Sequence, residues 1–192
     1  MSLRGLLILI AGFLCAACAS GDPSGRVERG TTKQLHAVSL EDYKLGPGDR
    51  LRIVIYDEPT LSNEYVVSPK GKIAFPLVGE VQAEGYTIPD FSRALETTLK
   101  QGYLKNPQAS AEVLVYRPFY ILGQVQRPGT YPFAAGMTVM SAAATAGGFT
   151  YRADTHRVYI KHVGQDLEIA YDLTSQTPVQ PGDTVRIGER IF

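Results

Sequence analysis

Residue types that could perform hydrolytic chemistry are present, but their spacing does not form a catalytic group. Ser141 lies in "VMSAA", without the G-x-S-x-G elbow that exposes a nucleophilic serine. Asp154 and His156 are two positions apart beside arginines, and we interpret them as solvated groups near a strand. The neighbouring carboxylates Asp57 and Glu58 are more typical of a loop than of an acid–base pair. The sequence predicts no catalytic residue and no enzyme.

Metal, nucleotide and nucleic-acid chemistry also lack a matching pattern. The three histidines, His36, His156 and His162, do not have the spacing of metal ligands. The "AGGF" segment at 146–149 lacks the G-x-G-x-x-G frame and follows a predicted helix, so it does not indicate a nucleotide loop. Lys+Arg and Asp+Glu are both 19, which leaves no basic excess for nucleic acid. We therefore predict no metal site, no cofactor and no nucleic-acid partner.

The N-terminus has the layout of a secretory signal. Arg4 precedes an apolar run, Gly5–Leu14, and small residues follow. This run is shorter than the roughly 20 residues that a membrane-spanning helix needs. We predict a signal peptide over residues 1–17.

Both cysteines of the chain, Cys15 and Cys18, lie at the end of this leader. "CAAC" resembles the lipobox of bacterial lipoproteins, although Cys15 takes the place of the usual aliphatic residue. We predict lipidation at Cys18, with a lipid anchor and flexible tether over 18–37, a polar stretch rich in Gly and Ser. The alternative is cleavage after Ala19 and a soluble periplasmic protein. In both cases no cysteine remains for an internal disulfide.

Short strands dominate the next part of the chain. "LRIVIY" at 51–56 is largely apolar on both faces, which predicts a strand covered on both sides. "EYVV" at 64–67 and "KIAF" at 72–75 flank "SPKG", and we predict that they pair as a hairpin. "GEVQAEG" predicts a further short strand, and 109–116 returns to strand character.

One amphipathic helix interrupts these strands. Thr87 and Asp90 form a capping-box pattern, and Pro89 suits the first helical turn. We predict a helix from Ile88 to Gln101 that packs one stripe on a sheet. The stripe recurs every four residues, at Phe91, Leu95 and Leu99.

A second unit begins near Arg117. Two strands surround the turn "RPG", and a short helix follows Thr138 and ends at Gly147–Gly148. A hairpin around "VGQD" and a last strand in "DTVRIGERIF" complete a compact β-grasp-like module. The predicted fold class is α+β, with mixed small sheets and one packed helix in the first domain.

One short phrase occurs twice. "LGPGDRLRIVIY" (45–56) and "VQPGDTVRIGERIF" (179–192) both place Pro-Gly-Asp before a strand. Pro fixes a turn dihedral, Gly supplies a positive φ, and Asp can accept hydrogen bonds from nearby N–H groups. The repeat fits either an internal duplication or the same turn before strands of two separate sheets, and we favour the second.

Together these segments resemble the outer-membrane polysaccharide export family. The stretches that carry the resemblance are "GDRLRI", "G-x-I-x-F-P-L-V-G", and "G-Q-V-x-x-P-G-x-Y" followed by "AGGFT". The resemblance implies a polysaccharide export domain over 38–116 and an SLBB β-grasp domain over 117–192. It also implies a transport component rather than an enzyme.

Family members are similar in forming lipid-anchored rings around a periplasmic channel for capsular or extracellular polysaccharide. The implied partners are the polysaccharide chain, an inner-membrane polysaccharide co-polymerase and other copies of the chain. Longer members carry a C-terminal membrane helix, whereas this sequence stops at Phe192. We therefore expect a short ring held by lipid at the periplasmic face of the outer membrane, or otherwise in the periplasm.

The alternative function is a soluble periplasmic glycan-binding protein that acts without a channel. Tyrosine rings can stack on sugars, but tyrosine also suits half-buried strands. The tyrosines considered are Tyr103, Tyr116, Tyr120, Tyr131, Tyr151, Tyr159 and Tyr171.

Overall fold

The computed structural model describes residues 42–190. The predicted signal peptide, the tether and Cys18 lie outside this range and stay predictions. Within it the fold is α+β, as the sequence predicted. The elements are β1 (Arg50–Ile55), β2 (Asn63–Val66), β3 (Lys72–Phe75), β4 (Gly79–Gln82), α1 (Ile88–Lys100), β5 (Ala109–Val115), β6 (Phe119–Gly123), β7 (Gly129–Tyr131), α2 (Val139–Thr145), β8 (Ala153–Lys161), β9 (Ile169–Asp172) and β10 (Thr184–Glu189).

The first unit is a three-stranded antiparallel sheet in the order β2-β1-β5, with helix α1 and the hairpin β3-β4 beside it. Helix α1 confirms its prediction closely. The Thr87 side chain accepts a hydrogen bond from the Asp90 N–H, so one free donor of the first turn is satisfied. The predicted stripe of Phe91, Leu95 and Leu99 is fully buried in the core of this unit.

The predicted pairing of the strands around "SPKG" is wrong. A turn does form there, with the Gly71 N–H donating to the Ser68 carbonyl at 2.9 Å. However, β2 pairs with β1, and β3 pairs with β4. The loop before β2 reverses the chain first, because the Ser62 hydroxyl bonds both the N–H and the carbonyl of Ile55. Strand β2 is thereby placed along β1 before the "SPKG" turn is reached.

Strand β1 was predicted to be covered on both faces, but only one of its faces is buried. Leu51, Ile53 and Ile55 are buried as expected, but Val54 is 47% exposed and Tyr56 is 75% exposed. Helix α1 and the β3-β4 hairpin bury only one face of the sheet within the described chain. The other face of the β2-β1-β5 sheet is open to solvent.

The second unit is a five-stranded mixed sheet in the order β7-β6-β10-β8-β9, with β10 at its centre. Strand β10 runs parallel to β6 and antiparallel to β8. The predicted hairpin around "VGQD" is confirmed as β8-β9, and the two strands predicted around "RPG" pair antiparallel as β6-β7. Helix α2 begins at the Thr138 cap, whose capping box with Ser141 is complete, and Gly147 and Gly148 follow it with positive φ.

The two units have separate hydrophobic cores. The first contains the buried residues from Tyr43 to Leu99, with Tyr116 packed against it. The second extends from Phe119 to Ile187. The repeated Pro-Gly-Asp therefore precedes one inner strand in each of two separate sheets, β1 in the first and β10 in the second.

The β3-β4 hairpin contains a backbone position that suits glycine better than its own residue. Leu77 has φ 69° and is 60% exposed, and the Val78 N–H donates to the Pro76 carbonyl across it. This is a γ-turn of the rare, strained hand. The side chain contributes little burial to offset that strain.

We predict that Leu77→Gly stabilises the folded chain by about 0.5–1 kcal/mol, because the relief of strain exceeds the added chain entropy of glycine. Urea unfolding measures the change. Leu77→Ala is the matched control, since it removes the side chain but keeps a Cβ. A glycine variant no more stable than the alanine variant would contradict the prediction.

Candidate functional site

The two Pro-Gly-Asp turns have the same internal hydrogen bonds. In the first, the Gly46 N–H donates to Oδ2 of Asp49 at 2.8 Å. In the second, the Gln180 N–H donates to Oδ2 of Asp183 at the same distance, 2.8 Å. Each aspartate N–H in turn donates to the carbonyl of the residue three positions earlier. The repeat is thus a structural repeat of one turn, closed by the aspartate carboxylate.

Both carboxylates are buried, and each receives further donors. Asp49 accepts the Tyr43 hydroxyl at 2.7 Å and the Arg117 N–H at 2.8 Å. Asp183 lies 2.9 Å from Nδ1 of His162. A buried carboxylate is costly unless hydrogen bonds replace its water, and these bonds do so.

Arg117 connects the two turns. Its backbone N–H is bound to Asp49, while its side-chain Nε donates to the Pro181 carbonyl at 3.0 Å. A Cβ added at Gly46 or at Gly182 would collide with the Arg117 side chain. Glycine is therefore required at both positions to let one arginine lie against both turns. We use the name junction for the two Pro-Gly-Asp turns together with Arg117, which contacts both of them.

Aromatic rings extend the junction into both cores. The rings of Tyr43 and Tyr116 meet edge to face at 5.1 Å, and those of Tyr116 and Phe133 at 5.6 Å. Tyr43 belongs to the first core, and Phe133 packs against the second. The Arg117 guanidinium lies 5.7 Å from the Tyr43 ring centroid, within the range of a cation–π contact.

A cavity of about 220 Å³ opens beside this aromatic row. Tyr43 lines it from the first unit, and the second unit contributes Phe133, Met137, Val179 and Gln180, among others. Cavities with apolar walls and a few polar groups, placed between domains, are the usual form of a small-ligand site. The junction therefore positions a candidate binding cavity.

The residues considered for catalysis have structural roles or are solvated. The Ser141 side chain completes the cap of α2 with Thr138. Asp154 accepts hydrogen bonds from the backbone N–H groups of His156 and Arg157. Between residues 42 and 190, no group of three or more His, Cys, Asp or Glu side chains is arranged to hold a metal ion.

The tyrosines do not form one surface. Tyr151 and Tyr120 are exposed, whereas Tyr131 and Tyr171 pack against the second core. Two tyrosines lie at the junction: Tyr116, which the sequence analysis considered, and Tyr43, which it missed. The signals that could have found it are its place six residues before Asp49 and the recurrence of the Pro-Gly-Asp turn.

Comparison with protein families covers both units. Residues 37–114 match the polysaccharide biosynthesis/export protein family, and residues 118–168 match the SLBB domain. The first match ends at residue 114 and the second begins at residue 118, so Arg117 lies between them. The fold is a two-domain α+β fold, and the family matches identify it as one of polysaccharide export type.

Three curated proteins illustrate the similarity. The exopolysaccharide production protein ExoF of Rhizobium meliloti is 34% identical over 126 residues, 59% of this chain and 30% of ExoF. The EPS I polysaccharide export outer membrane protein EpsA of Ralstonia nicotianae is 28% identical over 182 residues, 77% of this chain and 48% of EpsA. The polysialic acid transport protein KpsD of Escherichia coli is 29% identical over 109 residues, 56% of this chain and 20% of KpsD.

The chain belongs to the outer-membrane polysaccharide export family, with an export domain followed by an SLBB domain. It spans less than half the length of each of the three relatives. Members of this family are transport components, which agrees with the prediction that the chain is not an enzyme. Among residues 42–190, no helix is long and apolar enough to cross a membrane.

The junction makes stability depend on pH through Tyr43. Burial raises the pKa of the Tyr43 phenol well above its ordinary value of 10.0, and the hydrogen bond to Asp49 raises it further. Burial also raises the pKa of Tyr116, with the Asp49 charge as a second cause. Above the ordinary value the folded chain therefore holds protons that the unfolded chain releases. Stability is fully present below pH 10 and falls as the pH rises beyond it.

We predict that Tyr43→Phe loses less stability than the wild type between about pH 8 and about pH 11, because it has no phenol at the junction to deprotonate. Urea unfolding at each pH measures the slope. Tyr56→Phe, at an exposed tyrosine, is the control and should keep the wild-type slope. Equal slopes for wild type and Tyr43→Phe would show that burial and the Asp49 hydrogen bond do not keep this proton on the folded chain.

Proposed function

We propose that the chain is a component of an exopolysaccharide or capsule export machine, located at the periplasmic face of the outer membrane. The observation that carries the proposal is the match of both units, in order, to the export and SLBB domains. The names of the relatives support it: one is an exopolysaccharide production protein, and another is a polysaccharide export outer membrane protein. The cargo is a polysaccharide chain.

We further propose that copies of the chain assemble as a ring that guides the polysaccharide. The open face of the β2-β1-β5 sheet supports this step. Its exposed apolar residues are Val54, Val66 and Val115, at 47%, 52% and 49%. Val66 and Val115 stand on either side of Arg50 in the sheet register. Contact with a second copy would remove these side chains from water.

The charges on this face also suit a protein partner. Arg52 lies 3.9 Å from Glu64 and 3.3 Å from Glu112, so the ion pairs cross all three strands. Exposed pairs of this kind contribute little to folding. They leave a balanced surface that favours orientation of a partner over attraction of an anionic polymer.

We predict that Val54→Asp lowers the mass of the assembled protein, because a charge would have to be buried in the contact. Sedimentation of the purified mature protein measures the mass. Met140→Asp is the matched control, since Met140 is 44% exposed on helix α2 of the other unit. An unchanged mass for Val54→Asp would remove this face from the ring contact.

The cellular test is a deletion strain. Loss of this protein should abolish secretion of the polysaccharide, and the wild-type gene should restore it; normal secretion without the protein would sink the proposal.

The proposal also includes a lipid anchor at Cys18 and an inner-membrane co-polymerase as a partner. Cys18→Ala should release the protein from the outer membrane fraction if lipid at Cys18 holds it there.

The second candidate is a periplasmic glycan-binding protein that acts without a channel. The cavity beside Phe133 and Tyr43 is the observation that favours it. The mass of the wild-type protein separates the two functions. A large cyclic oligomer supports export through a ring, whereas a stable monomer supports binding alone.

A further inference from the structure

The cavity beside the junction has walls from both domains. The Tyr43 ring comes from the segment before the first Pro-Gly-Asp turn, and Gln180 and Pro181 come from the second turn. Phe133 and Met137 complete the apolar part of the wall. Because the hydrogen bonds of Arg117 hold the two turns together, the cavity is already formed in the absence of a ligand.

Two of the polar residues that line this cavity are glutamines, Gln176, which is exposed, and Gln180, which is half-buried. Their backbone N–H groups are hydrogen-bonded, but neither side-chain amide makes a hydrogen bond to another residue in the described range. The other polar side chains of the wall are already used: the Tyr43 hydroxyl binds Asp49, and the Thr138 hydroxyl caps α2. An amide offers both a donor and an acceptor, which matches a ligand with hydroxyl groups.

The wall carries no charged side chain. Behind the wall, the Asp49 carboxylate accepts the Arg117 backbone N–H, and the Arg117 side chain donates through Nε to the Pro181 carbonyl. An anionic ligand would lose its hydration at this wall without meeting a cationic side chain in the wall itself, which is costly. The chemistry therefore selects an uncharged ligand.

The volume of the cavity limits the size of the ligand that it can hold. A cavity volume of about 220 Å³ is below the roughly 300–1,000 Å³ of pockets for drug-sized ligands. This is small for a peptide segment or a lipid chain, and it suits one sugar ring. A sugar ring has an apolar C–H face that can lie on Phe133 and hydroxyl groups that can bind the two amides.

The two Pro-Gly-Asp turns differ at the position that reaches the cavity. The first has Gly46, where Arg117 leaves no room for a side chain, and the second has Gln180 at the equivalent position. Both copies of the turn contact Arg117 and so hold the domains together. Only the second copy also carries an amide side chain that a ligand can meet.

We propose that this cavity binds one neutral sugar residue of the exported polysaccharide, held between the Phe133 ring and the side-chain amides of Gln176 and Gln180. The proposal rests on the export function proposed above and adds a contact site and a ligand class. Binding in one small cavity corresponds to a dissociation constant of about 1 mM, which is weak enough for a chain to move on.

The test is titration of the purified mature protein, followed by NMR, with neutral pentasaccharides of glucose, galactose and mannose and with tetragalacturonate as the anionic probe. At least one neutral probe should shift the signals of residues around the cavity, and tetragalacturonate should not. Gln180→Leu and Phe133→Ala should each weaken binding at least about tenfold. Gln165→Leu, at an exposed glutamine outside the cavity, should bind as the wild type does.

Phe133 also contacts Tyr116, so its loss can disturb the fold. Gln180→Leu avoids this problem, because the backbone N–H that binds Asp183 is kept. The site is overturned if no neutral probe binds, or if Gln180→Leu binds as the wild type does. Equal binding of tetragalacturonate would overturn the ligand class.

The deletion strain separates this inference from the proposed function. If the wild-type gene restores secretion but the protein binds no neutral sugar, the cavity proposal fails and the export proposal stands. If secretion is normal without the protein, the export proposal fails. Binding of a neutral probe by the purified protein would then still support the cavity as a glycan site.

Discussion

The burial of the Asp49 carboxylate is the constraint on which the rest of the structure depends. It accepts hydrogen bonds from its own turn, from the Tyr43 hydroxyl and from the Arg117 N–H. Because a buried carboxylate without donors is costly, these three segments must come together when the chain folds. Arg117 then reaches the second turn through the Pro181 carbonyl, and the two domains are joined at one point.

The same constraint explains why the junction offers binding rather than reaction. The Asp49 carboxylate is buried and hydrogen-bonded, the Arg117 side chain donates to a backbone carbonyl, and no charged side chain lines the cavity. What the wall presents is an aromatic ring, aliphatic groups and two unused amides. In the export role proposed for this chain, such a surface would hold a cargo weakly and without chemistry, so that the cargo could be passed on.

Sequence patterns predicted local structure well where a single element contains its own signals. The cap at Thr87 and the stripe of Phe91, Leu95 and Leu99 define helix α1 without reference to the rest of the chain. Pairing was different: the strands around "SPKG" looked like a hairpin, yet each pairs with a more distant partner. A turn fixes only the local chain direction, whereas the buried faces of the strands decide which sheet they join.

The sequence by itself determined the elements, the α+β class, the family and the Pro-Gly-Asp turns, because each depends on short-range spacing and residue type. Only the tertiary structure decided what the repeated turn does. Asp49 and Asp183 look alike in sequence, but one binds Tyr43 and Arg117 and the other lies against His162. The Tyr43 contact is local, but the Arg117 contact joins residues 68 positions apart, and no short sequence pattern could contain it.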